Sequence, residues 1–418
     1  MAFFTLGCKV NAYDSAYMQE LFEKNGYVVI DFGQQADIVV VNTCTVTAVA
    51  DKKSRAAIRR AALTGKVIVT GCMAQKNAEK LLLIDGVDAV IGTDDRARVI
   101  AVADLILAGQ AQIDLTHDLN GCGYETMHIS KPGERTRGII KIQEGCDNFC
   151  SYCIIPYVRG RSRSRRMAEI LNEANKLAKS GAKELVLTGI HIASYSDGDK
   201  GLGDVICALN EIPGIRLRLG SIEPGVLDEG FVFKAASSKN LCPHFHLSLQ
   251  SGSADVLKRM NRKYKPDEYL DFVRLLRKYF INPAVTTDII AGFPGETQQE
   301  HADTMAFIKE VSFSRIHVFP FSAREGTKAY GMTPKIPKST IRARATELIS
   351  LGESCENKYI QSMIGQKEEV LFEELSDTFK GCLEGYSRRY IRVAAAACQN
   401  ELKTVKLIEN CGTVVFGE

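Results

Sequence analysis

Gly145-Cys-Asp-Asn-Phe-Cys-Ser-Tyr-Cys153 contains three cysteines in a C-x3-C-x2-C arrangement. A structural zinc site closes a tetrahedron with four protein ligands, usually two cysteine pairs or a cysteine pair with a histidine pair. This segment supplies only three thiols, and no histidine or further cysteine follows it closely along the chain. A 4Fe–4S cluster held by three thiolates leaves one iron open to a small molecule. The spacing therefore favours an iron–sulfur cluster with an open coordination position.

Two other interpretations of these cysteines stay open at this point. Cysteine is often a small buried apolar residue, although Gly145 and the polar residues Asp147, Asn148 and Ser151 make this a poor core segment. Zinc with a distant fourth ligand is the second alternative.

Length and composition are those of a globular protein with several domains. A chain of 418 residues exceeds one compact core and predicts two or three domains. No stretch approaches the ~20 apolar residues of a membrane span, and no signal peptide opens the chain, so we expect a cytoplasmic protein without a membrane partner. Thirteen cysteines in such a chain argue against a disulfide framework and for metal or redox use.

The amino-terminal part alternates short apolar strands with helical segments, which predicts an open parallel α/β sheet. The predicted strands are residues 2–6, 27–30, 38–41, 67–69 and 89–91. Cys8, Cys44 and Cys72 each follow one of these strands. Because the carboxyl ends of parallel strands share one edge of a sheet, we expect the three cysteines to converge on a second three-thiolate site. Buried core thiols and redox disulfide exchange are the alternatives, and the second lacks the usual C-x-x-C pair.

A second run of strands and helices follows a polar segment at 117–136, which is predicted to be a linker. Cys122 in this linker is expected to be a spare thiol without a neighbouring ligand. Six further strands are predicted at 138–142, 184–187, 216–219, 244–249, 284–290 and 316–319. They predict a (β/α)6 partial TIM barrel, whose active site lies at the carboxyl ends of the strands. The Cys146–Cys153 loop follows the first of these strands and therefore lies on that rim.

The carboxyl-terminal part changes to short strands after a predicted helix at 339–361. This pattern suits a small OB-like β-barrel, a fold often used on nucleic acid. Acidic residues outnumber basic ones there, so any RNA contact is expected to be local, around Tyr386, Arg388 and Arg389. The expected domains are residues 1–116, 137–354 and 355–418, with the linker at 117–136 between the first two.

Two basic runs are candidate contacts for an anionic partner. One extends from Lys52 to Arg60 on a predicted amphipathic helix, where a solvated helix face is an equally good explanation. The other, Arg159-Gly-Arg-Ser-Arg-Ser-Arg-Arg166, follows the cysteine loop. Its glycine and serines disfavour a helix, and an RNA backbone would be attracted to its charge.

With these motifs together, the sequence resembles the radical S-adenosylmethionine methylthiotransferases. The C-x3-C-x2-C motif, with Tyr152 before its last cysteine, resembles the cluster-binding signature of that family, and the resemblance extends to a three-cysteine amino-terminal domain and a carboxyl-terminal TRAM domain. Leu6-Gly-Cys-Lys-Val-Asn11 and the segment from Cys153 to Arg165 look like the branch that acts on N6-threonylcarbamoyladenosine in tRNA. The branches acting on isopentenyladenosine in tRNA, which usually read G-C-Q-M-N at the first site, and on a ribosomal protein, which usually read G-C-P-K-N, are the alternatives.

The resemblance implies a transferase whose difficult chemistry belongs to its cofactors. It implies two 4Fe–4S clusters, one on Cys146, Cys150 and Cys153 and one on Cys8, Cys44 and Cys72. The first would bind S-adenosylmethionine and yield a 5′-deoxyadenosyl radical, the second would supply sulfur, and a second S-adenosylmethionine would supply the methyl group. The product would be the 2-methylthio derivative of N6-threonylcarbamoyladenosine next to the tRNA anticodon.

Further site residues are expected on the predicted rim. The candidate contacts for S-adenosylmethionine lie at or near strand ends and are Tyr152 (through its backbone), Gly189, Glu223, Gln250 and Gly292. The candidate contacts for RNA phosphates alternate along an extended segment and are Arg161, Arg163 and Arg165.

The expected partners are the tRNA anticodon stem-loop and an electron donor such as flavodoxin or ferredoxin, acting on a monomeric enzyme. Two functions of other classes stay open. A non-catalytic RNA-binding zinc protein would explain the cysteines and arginines, and an electron-transfer iron–sulfur protein would explain the clusters. Neither explains six barrel strands with a polar rim.

Overall fold

The computed structural model describes residues 1–132 and 136–418, so residues 133–135 of the predicted linker lie outside the described residues. The described chain forms a parallel α/β sheet, an arc of parallel strands covered by helices, and a closed β-barrel, in that order. This is the predicted fold class. Among the described helices, none has the length and apolar character that a membrane crossing requires.

The amino-terminal unit is a five-stranded parallel sheet in the order β1-β2-β3-β4-β5. Its elements are β1 (Ala2–Thr5), α1 (Lys9–Lys24), β2 (Ile38–Thr43), α2 (Ala48–Ala61), β3 (Lys66–Gly71), α3 (Cys72–Leu82), β4 (Val87–Val90), α4 (Val99–Leu107) and β5 (Ile113–Asp114). One apolar core packs α2 and α3 on one face of the sheet, and a second packs α1 and α4 on the other. Burial on both faces explains why β2 is a continuous apolar run rather than an alternating one.

Two details of the predicted sheet are wrong. Residues 27–30 form no strand in the described chain, and only Ile30 makes an isolated bridge, to Ala2. The segment pairs with β1 at this one point only. Its short apolar run has the pattern of a strand, but its backbone does not pair with the sheet along its length. The two-residue strand β5 was not predicted, because Ile113–Asp114 is too short to show a pattern.

The central unit contains the arc and its helices. Its elements are β6 (Arg137–Glu144), α5 (Ile155–Arg159), β7 (Arg163–Ser164), α6 (Met167–Lys179), β8 (Glu184–Gly189), β9 (Ser196–Asp197), β10 (Lys200–Gly201), α7 (Leu202–Asn210), β11 (Arg216–Leu219), α8 (Glu229–Ser237), β12 (His244–His246), α9 (Ala254–Arg259), α10 (Pro266–Tyr279), β13 (Ala284–Ala291), α11 (Gln298–Val311), β14 (Arg315–Pro320) and α12 (Lys338–Met363). Strands β6, β8 and β11 pair in parallel, as do β12, β13 and β14. Bridges Leu217–Leu241 and Ile222–Leu247 join the two groups into the predicted six-stranded partial barrel.

The carboxyl-terminal unit is a closed barrel in the order β15-β16-β17-β19-β18. Its strands are β15 (Lys367–Leu375), β16 (Leu383–Ser387), β17 (Arg392–Ala395), β18 (Glu401–Asn410) and β19 (Val415–Gly417). Gly385 allows β15 and β16 to approach, since a Cβ there would lie 1.9 Å from the carbonyl oxygen of Leu371. The helix α12 continues through the expected boundary at 354/355 and ends only at Met363.

The β-barrel packs against the amino ends of the arc strands. Arg216 and Arg218 on β11 donate to the carbonyl oxygens of Tyr386 (2.8 Å) and Ser387 (3.0 Å). Both guanidinium groups also bind Glu184, at the start of β8, at 2.6 and 2.9 Å. Burial alone would raise the pKa of Glu184, but the two arginines lower it overall. The barrel therefore lies at the end of the arc opposite the carboxyl rim.

The amino-terminal sheet contacts both ends of the arc. At one end, Lys141 on β6 binds Asp14 on α1 at 2.9 Å. At the other end, Arg324, which follows β14, binds Asp51 on α2 at 2.7 Å. The carboxyl edge of the sheet is thus held against the carboxyl rim of the arc.

Candidate active site

The Cys146–Cys153 loop leaves β6 at the carboxyl rim and is fixed on both sides. The backbone N–H of Cys146 donates to the carbonyl oxygen of Gly160 at 3.0 Å. The backbone N–H of Ser151 donates to the carbonyl oxygen of Met260 at 2.9 Å. Gly145 has a φ of +70°, and a Cβ there would lie 1.8 Å from the carbonyl oxygen of Arg161, so the loop requires glycine before its first cysteine.

Two thiols of this loop, Cys146 and Cys153, hold their protons in the metal-free protein. Burial raises the pKa of Cys146 to about 11 and that of Cys153 to about 12. A coordinating metal deprotonates a thiol. Cluster binding at this loop therefore releases protons.

The second cysteine set lies at the carboxyl edge of the amino-terminal sheet. Cys8, Cys44 and Cys72 follow β1, β2 and β3, which are adjacent in the sheet. Burial raises the pKa of Cys44, and burial raises that of Cys72 to about 11; the nearby Cys8 thiol raises the pKa of both. The structure thus brings together three cysteines that are far apart in sequence.

The spacing of the sulfur atoms bears on the kind of metal that fits. Zinc with bonds of about 2.3 Å to sulfur holds two tetrahedral thiolates about 3.8 Å apart. Within the part of the chain that the structure describes, neither cysteine set has all three sulfur atoms within 4.8 Å of one another. Both sets are therefore wider than a single zinc ion requires, and three thiolates are donors that fit an iron–sulfur cluster.

The expectation that Cys122 has no neighbouring ligand is wrong. Its Sγ lies 3.7 Å from Nε2 of His117, and Asp94 completes a compact group of three ligand types. Asp94 follows β4 and is distant in sequence, so the linker sequence did not reveal it. Arg163 lies 3.8 Å from Asp94 and already supplies positive charge to this group.

A five-residue helix joins the two cysteine sets. Helix α5 begins two residues after Cys153, and Ile154 and Val158 pack with Cys72 in one apolar cluster. Arg159, the last residue of α5, donates from Nε to Sγ of Cys72 at 3.2 Å. The two cysteine sets that were predicted separately therefore lie in one region of the structure.

Among the predicted cofactor contacts, Glu223 is the one whose carboxylate is surrounded by three polar side chains. Its buried carboxylate accepts a hydrogen bond from Asn148 in the cysteine loop at 3.0 Å and binds Arg262 at 3.1 Å. His191 lies 3.6 Å from the same carboxylate, and burial lowers the pKa of this imidazole, which is therefore neutral at pH 7. These polar groups could hold the amino and hydroxyl groups of S-adenosylmethionine beside Cys146.

The other predicted cofactor contacts, Gln250, Gly189, Tyr152 and Gly292, pack against neighbouring parts of the chain. Gln250 has a φ of +72° and is bonded through its backbone to β13. Gly189 lies against β6, since a Cβ there would be 2.6 Å from the carbonyl oxygen of Gln143. The side chain of Tyr152 packs in an apolar cluster with Phe293. Gly292 packs against α12, where a Cβ would lie 2.5 Å from Ile341, so this side of it is not available to a cofactor.

The prediction that three alternating arginines face RNA is wrong for two of them. Arg165 is fully buried, forms an ion pair with Glu173 and donates to the carbonyl oxygen of Met127 at 2.6 Å. Arg163 is also buried and donates to the carbonyl oxygen of Arg159 at 2.9 Å.

The reason for this error is the direction in which the segment faces. The backbone is extended as expected, but β7 pairs with β6 and turns these side chains toward the amino-terminal unit. Arg161 alone is exposed, above the ring of Phe149 and 3.3 Å from Asp147.

The residues predicted as RNA contacts in the carboxyl-terminal barrel are partly exposed, and each has a partner within the chain. Arg388 donates to the carbonyl oxygen of Leu241 at 2.7 Å, and Arg389 donates to that of Asn282 at 2.8 Å. Tyr386 stacks on Tyr390 with ring centroids 4.5 Å apart. The two arginines hold the barrel on the arc through carbonyl oxygens of the loops before β12 and β13, and Arg137 of β6 lies over the Tyr386 ring.

A basic face on α2 is the stronger surface for an anionic partner. The helix begins four residues after Cys44, and its exposed cations are Lys52, Lys53, Arg55, Arg59 and Arg60, the last of which lies over the ring of Phe32. Among the residues that the structure describes, no carboxylate forms an ion pair with any of these five. The charge pattern was visible in the sequence, but its exposure beside a cysteine site was not.

Comparisons with known proteins agree with this arrangement. Residues 140–308 match the family model described as the radical SAM superfamily, and residues 1–92 match uncharacterized protein family UPF0004. A protein of Bacillus subtilis (strain 168) named threonylcarbamoyladenosine tRNA methylthiotransferase MtaB is 38% identical over 421 residues, which cover 97% of this chain and 93% of that protein. This chain belongs to the radical SAM methylthiotransferase family. A Thermotoga maritima protein of the same name is 36% identical to this methylthiotransferase, over 93% of this chain and 89% of that one.

Solved structures share the fold of this methylthiotransferase at low sequence identity. The radical S-adenosylmethionine methyltransferase TsrM from Kitasatospora setae matches with a TM-score of 0.57 and 15% identity, over 76% of this chain and 73% of that one. The cobalamin-dependent enzyme OxsB matches with a TM-score of 0.53 and 9% identity, over 84% of this chain and 56% of that one. The methylthiotransferase is thus a transferase, which sets aside the zinc-protein and electron-transfer alternatives.

Proposed function

We propose that this enzyme adds sulfur and a methyl group at C2 of N6-threonylcarbamoyladenosine beside the tRNA anticodon. The observation that carries the proposal is the joining of two three-thiolate sites through α5, with Cys72 packed on the helix that follows Cys153. A reaction that activates a carbon atom and then gives it sulfur requires two such sites within reach of one base. The names of relatives that match almost the whole chain support the same substrate.

Each part of the site has a separate role in this proposal. When bound, the two clusters and S-adenosylmethionine supply the radical, the sulfur and the methyl group. The chain itself binds and orients S-adenosylmethionine. Its polar wall beside Cys146 consists of Glu223, Asn148 and Arg262. Helix α5 fixes the separation between that wall and the second cysteine site.

The RNA would approach over α2 and Arg161. These cations are exposed near the two cysteine sites and suit the phosphates of a single-stranded loop, whose bases can be turned outward into a rim. We further propose that the enzyme acts as a monomer in the cytoplasm, where tRNA is found, and that flavodoxin or ferredoxin reduces it. An external donor is needed because the radical is generated by reduction.

The test is mass spectrometry of tRNA nucleosides from a strain that lacks this protein. The expected result is loss of the 2-methylthio derivative and accumulation of N6-threonylcarbamoyladenosine, both reversed by the wild-type gene and not by a gene encoding Cys146→Ala. Accumulation of isopentenyladenosine instead, or an unmodified ribosomal protein, would assign the enzyme to another branch.

A further inference from the structure

Arg159 makes an unusually complete set of contacts between the two cysteine sites. Its guanidinium group is fully buried, and Nε donates to Sγ of Cys72 at 3.2 Å. Nη1 donates to both oxygens of Glu144, at 3.0 and 2.9 Å. Nη2 donates to Oδ1 of Asn11 at 2.6 Å and lies 3.3 Å from Oδ2 of Asp14. All three nitrogens of one side chain are therefore used.

Asn11 connects Arg159 to the loops that carry Cys8 and Cys44. Its Nδ2 donates to the carbonyl oxygens of Leu6 at 2.7 Å and Thr43 at 3.0 Å. Leu6 lies two residues before Cys8, and Thr43 directly precedes Cys44. Arg159 is thus connected to the backbone at two of the three cysteine loops and to the sulfur of the third.

Glu144 connects Arg159 to the loop that carries Cys146, Cys150 and Cys153. It is the last residue of β6 and lies two positions before Cys146. The residue after Arg159 is Gly160, whose carbonyl oxygen accepts the hydrogen bond from Cys146. One side chain and its neighbour therefore link Cys72 to the first cysteine of the other site.

The carboxylates around Arg159 are bound by its two terminal nitrogens and leave Nε to the sulfur. Lys141 binds two of these acids, at 2.9 Å to Asp14 and at 2.7 Å to Glu144. Arg96 lies 3.0 Å from Asp14 and also pairs with Glu125, so three cations face three carboxylates. The Nε–H of Arg159 faces no carboxylate and is directed at Sγ of Cys72.

We propose that Arg159 is a positioning residue that donates to the thiolate of Cys72 and raises the reduction potential of the cluster on Cys8, Cys44 and Cys72. The inference rests on the proposed function in one respect, the presence of that cluster. Reduction adds negative charge to a cluster, and a buried cation with an N–H directed at a ligand sulfur stabilises the reduced form.

The geometry requires arginine rather than any cation. A guanidinium group is a planar fork that can donate to a sulfur, a carboxylate and an amide in three directions at once. A lysine at this position keeps the charge but has one nitrogen, which cannot hold Cys72, Glu144 and Asn11 together. Arg159→Lys therefore separates charge from geometry.

The experiment is an anaerobic redox titration of the full-length enzyme with both clusters, followed by electron paramagnetic resonance. The signal that changes when S-adenosylmethionine is added belongs to the Cys146 site, and the other signal reports the cluster beside Arg159. We expect Arg159→Gln to disfavour reduction of that cluster at least tenfold, a shift of about 59 mV to lower potential for one electron. Arg159→Lys should shift it less, and Arg166→Gln, an exposed neighbour, should not shift it.

The potential distinguishes this role from a merely structural one. An unchanged potential in Arg159→Gln, with both clusters present, would overturn the proposal. Should Arg159→Gln lose the cluster, Arg159→Lys decides: a lowered potential supports the proposal, and a wild-type potential or loss of this cluster too overturns it. A wild-type enzyme with only one cluster would instead contradict the proposed function.

Discussion

Lys141 and Asp14 form an ion pair 2.9 Å long in which each side chain is 1% exposed. Lys141 lies on β6 of the arc and Asp14 on α1 of the amino-terminal sheet. The pair therefore crosses the contact between the units that carry the two cysteine sites. Lys141 is one of three cations, with Arg96 and Arg159, that face the carboxylates of Asp14, Glu144 and Glu125. Its removal would leave one of these negative charges without compensation in a largely buried cluster.

We expect Lys141→Met to destabilise the contact between these units by about 3–5 kcal/mol, because Asp14 and Glu144 both lose a cation and the buried cluster keeps an excess negative charge. Thermal unfolding followed by circular dichroism would measure this as a lower midpoint. Lys278→Met is the matched control, since Lys278 pairs with Glu229 on an exposed surface and its loss should leave the midpoint unchanged. Equal midpoints for both variants would show that the buried pair contributes nothing to the stability.

The two cysteine sites should be separable by substitution. Cys8→Ala, Cys44→Ala or Cys72→Ala should leave cleavage of S-adenosylmethionine to 5′-deoxyadenosine intact and stop sulfur insertion, because these cysteines lie on the other unit from Cys146. Chromatography of 5′-deoxyadenosine and mass spectrometry of the tRNA would measure both. Loss of cleavage in a folded variant would contradict the division of roles.

Weaker tRNA binding is expected when the basic face of α2 is neutralised. Replacing Lys52, Lys53, Arg55 and Arg59 with Ala should reduce affinity and make the dependence of log K on log salt shallower by about two to three units, because fewer counterions are released. Arg161→Gln should change the slope by about one unit or less. Fluorescence anisotropy with labelled tRNA at several salt concentrations measures both.

Two arginines serve as controls for that experiment. Arg274→Ala changes an exposed arginine on the outer helix α10 and should leave the salt slope unchanged. Arg165→Gln should instead reduce stability, since Arg165 is buried against Glu173. A salt slope unaffected by the α2 substitutions would place the RNA elsewhere.

Acid should weaken the attachment of the β-barrel through Glu184. Arg218 and Arg216 hold the pKa of this buried carboxyl below its ordinary value, so its stabilising contribution is present above about pH 4.3 and is lost as the pH falls toward the folded-state value. The difference in unfolding free energy between wild type and Glu184→Gln should therefore shrink steadily below about pH 4.3. Urea titrations at several pH values test this, and a difference independent of pH would contradict it.

Local sequence patterns were sufficient to predict most strands and the convergence of Cys8, Cys44 and Cys72. Each cysteine of the second site lies one to three residues after the end of a strand, so parallel pairing alone brings Cys8, Cys44 and Cys72 to one edge. The arginines were not predictable in this way, because a buried and an exposed arginine look alike in sequence. What decides between them is a partner on another element, such as Glu173 for Arg165 or Asp94 for Arg163.

Anchoring of the sheet at both ends of the arc has a consequence for motion. A hinge needs one attached side and one free side, whereas this sheet is attached by Asp14 at β6 and by Asp51 beyond β14. Separation of the two units at either end would break an ion pair there, fully buried at Asp14 and partly buried at Asp51. The two units therefore form a fixed frame. On the proposed function, the RNA would be the part that moves in each turnover, since its target base would have to unstack and enter between the two cysteine sites.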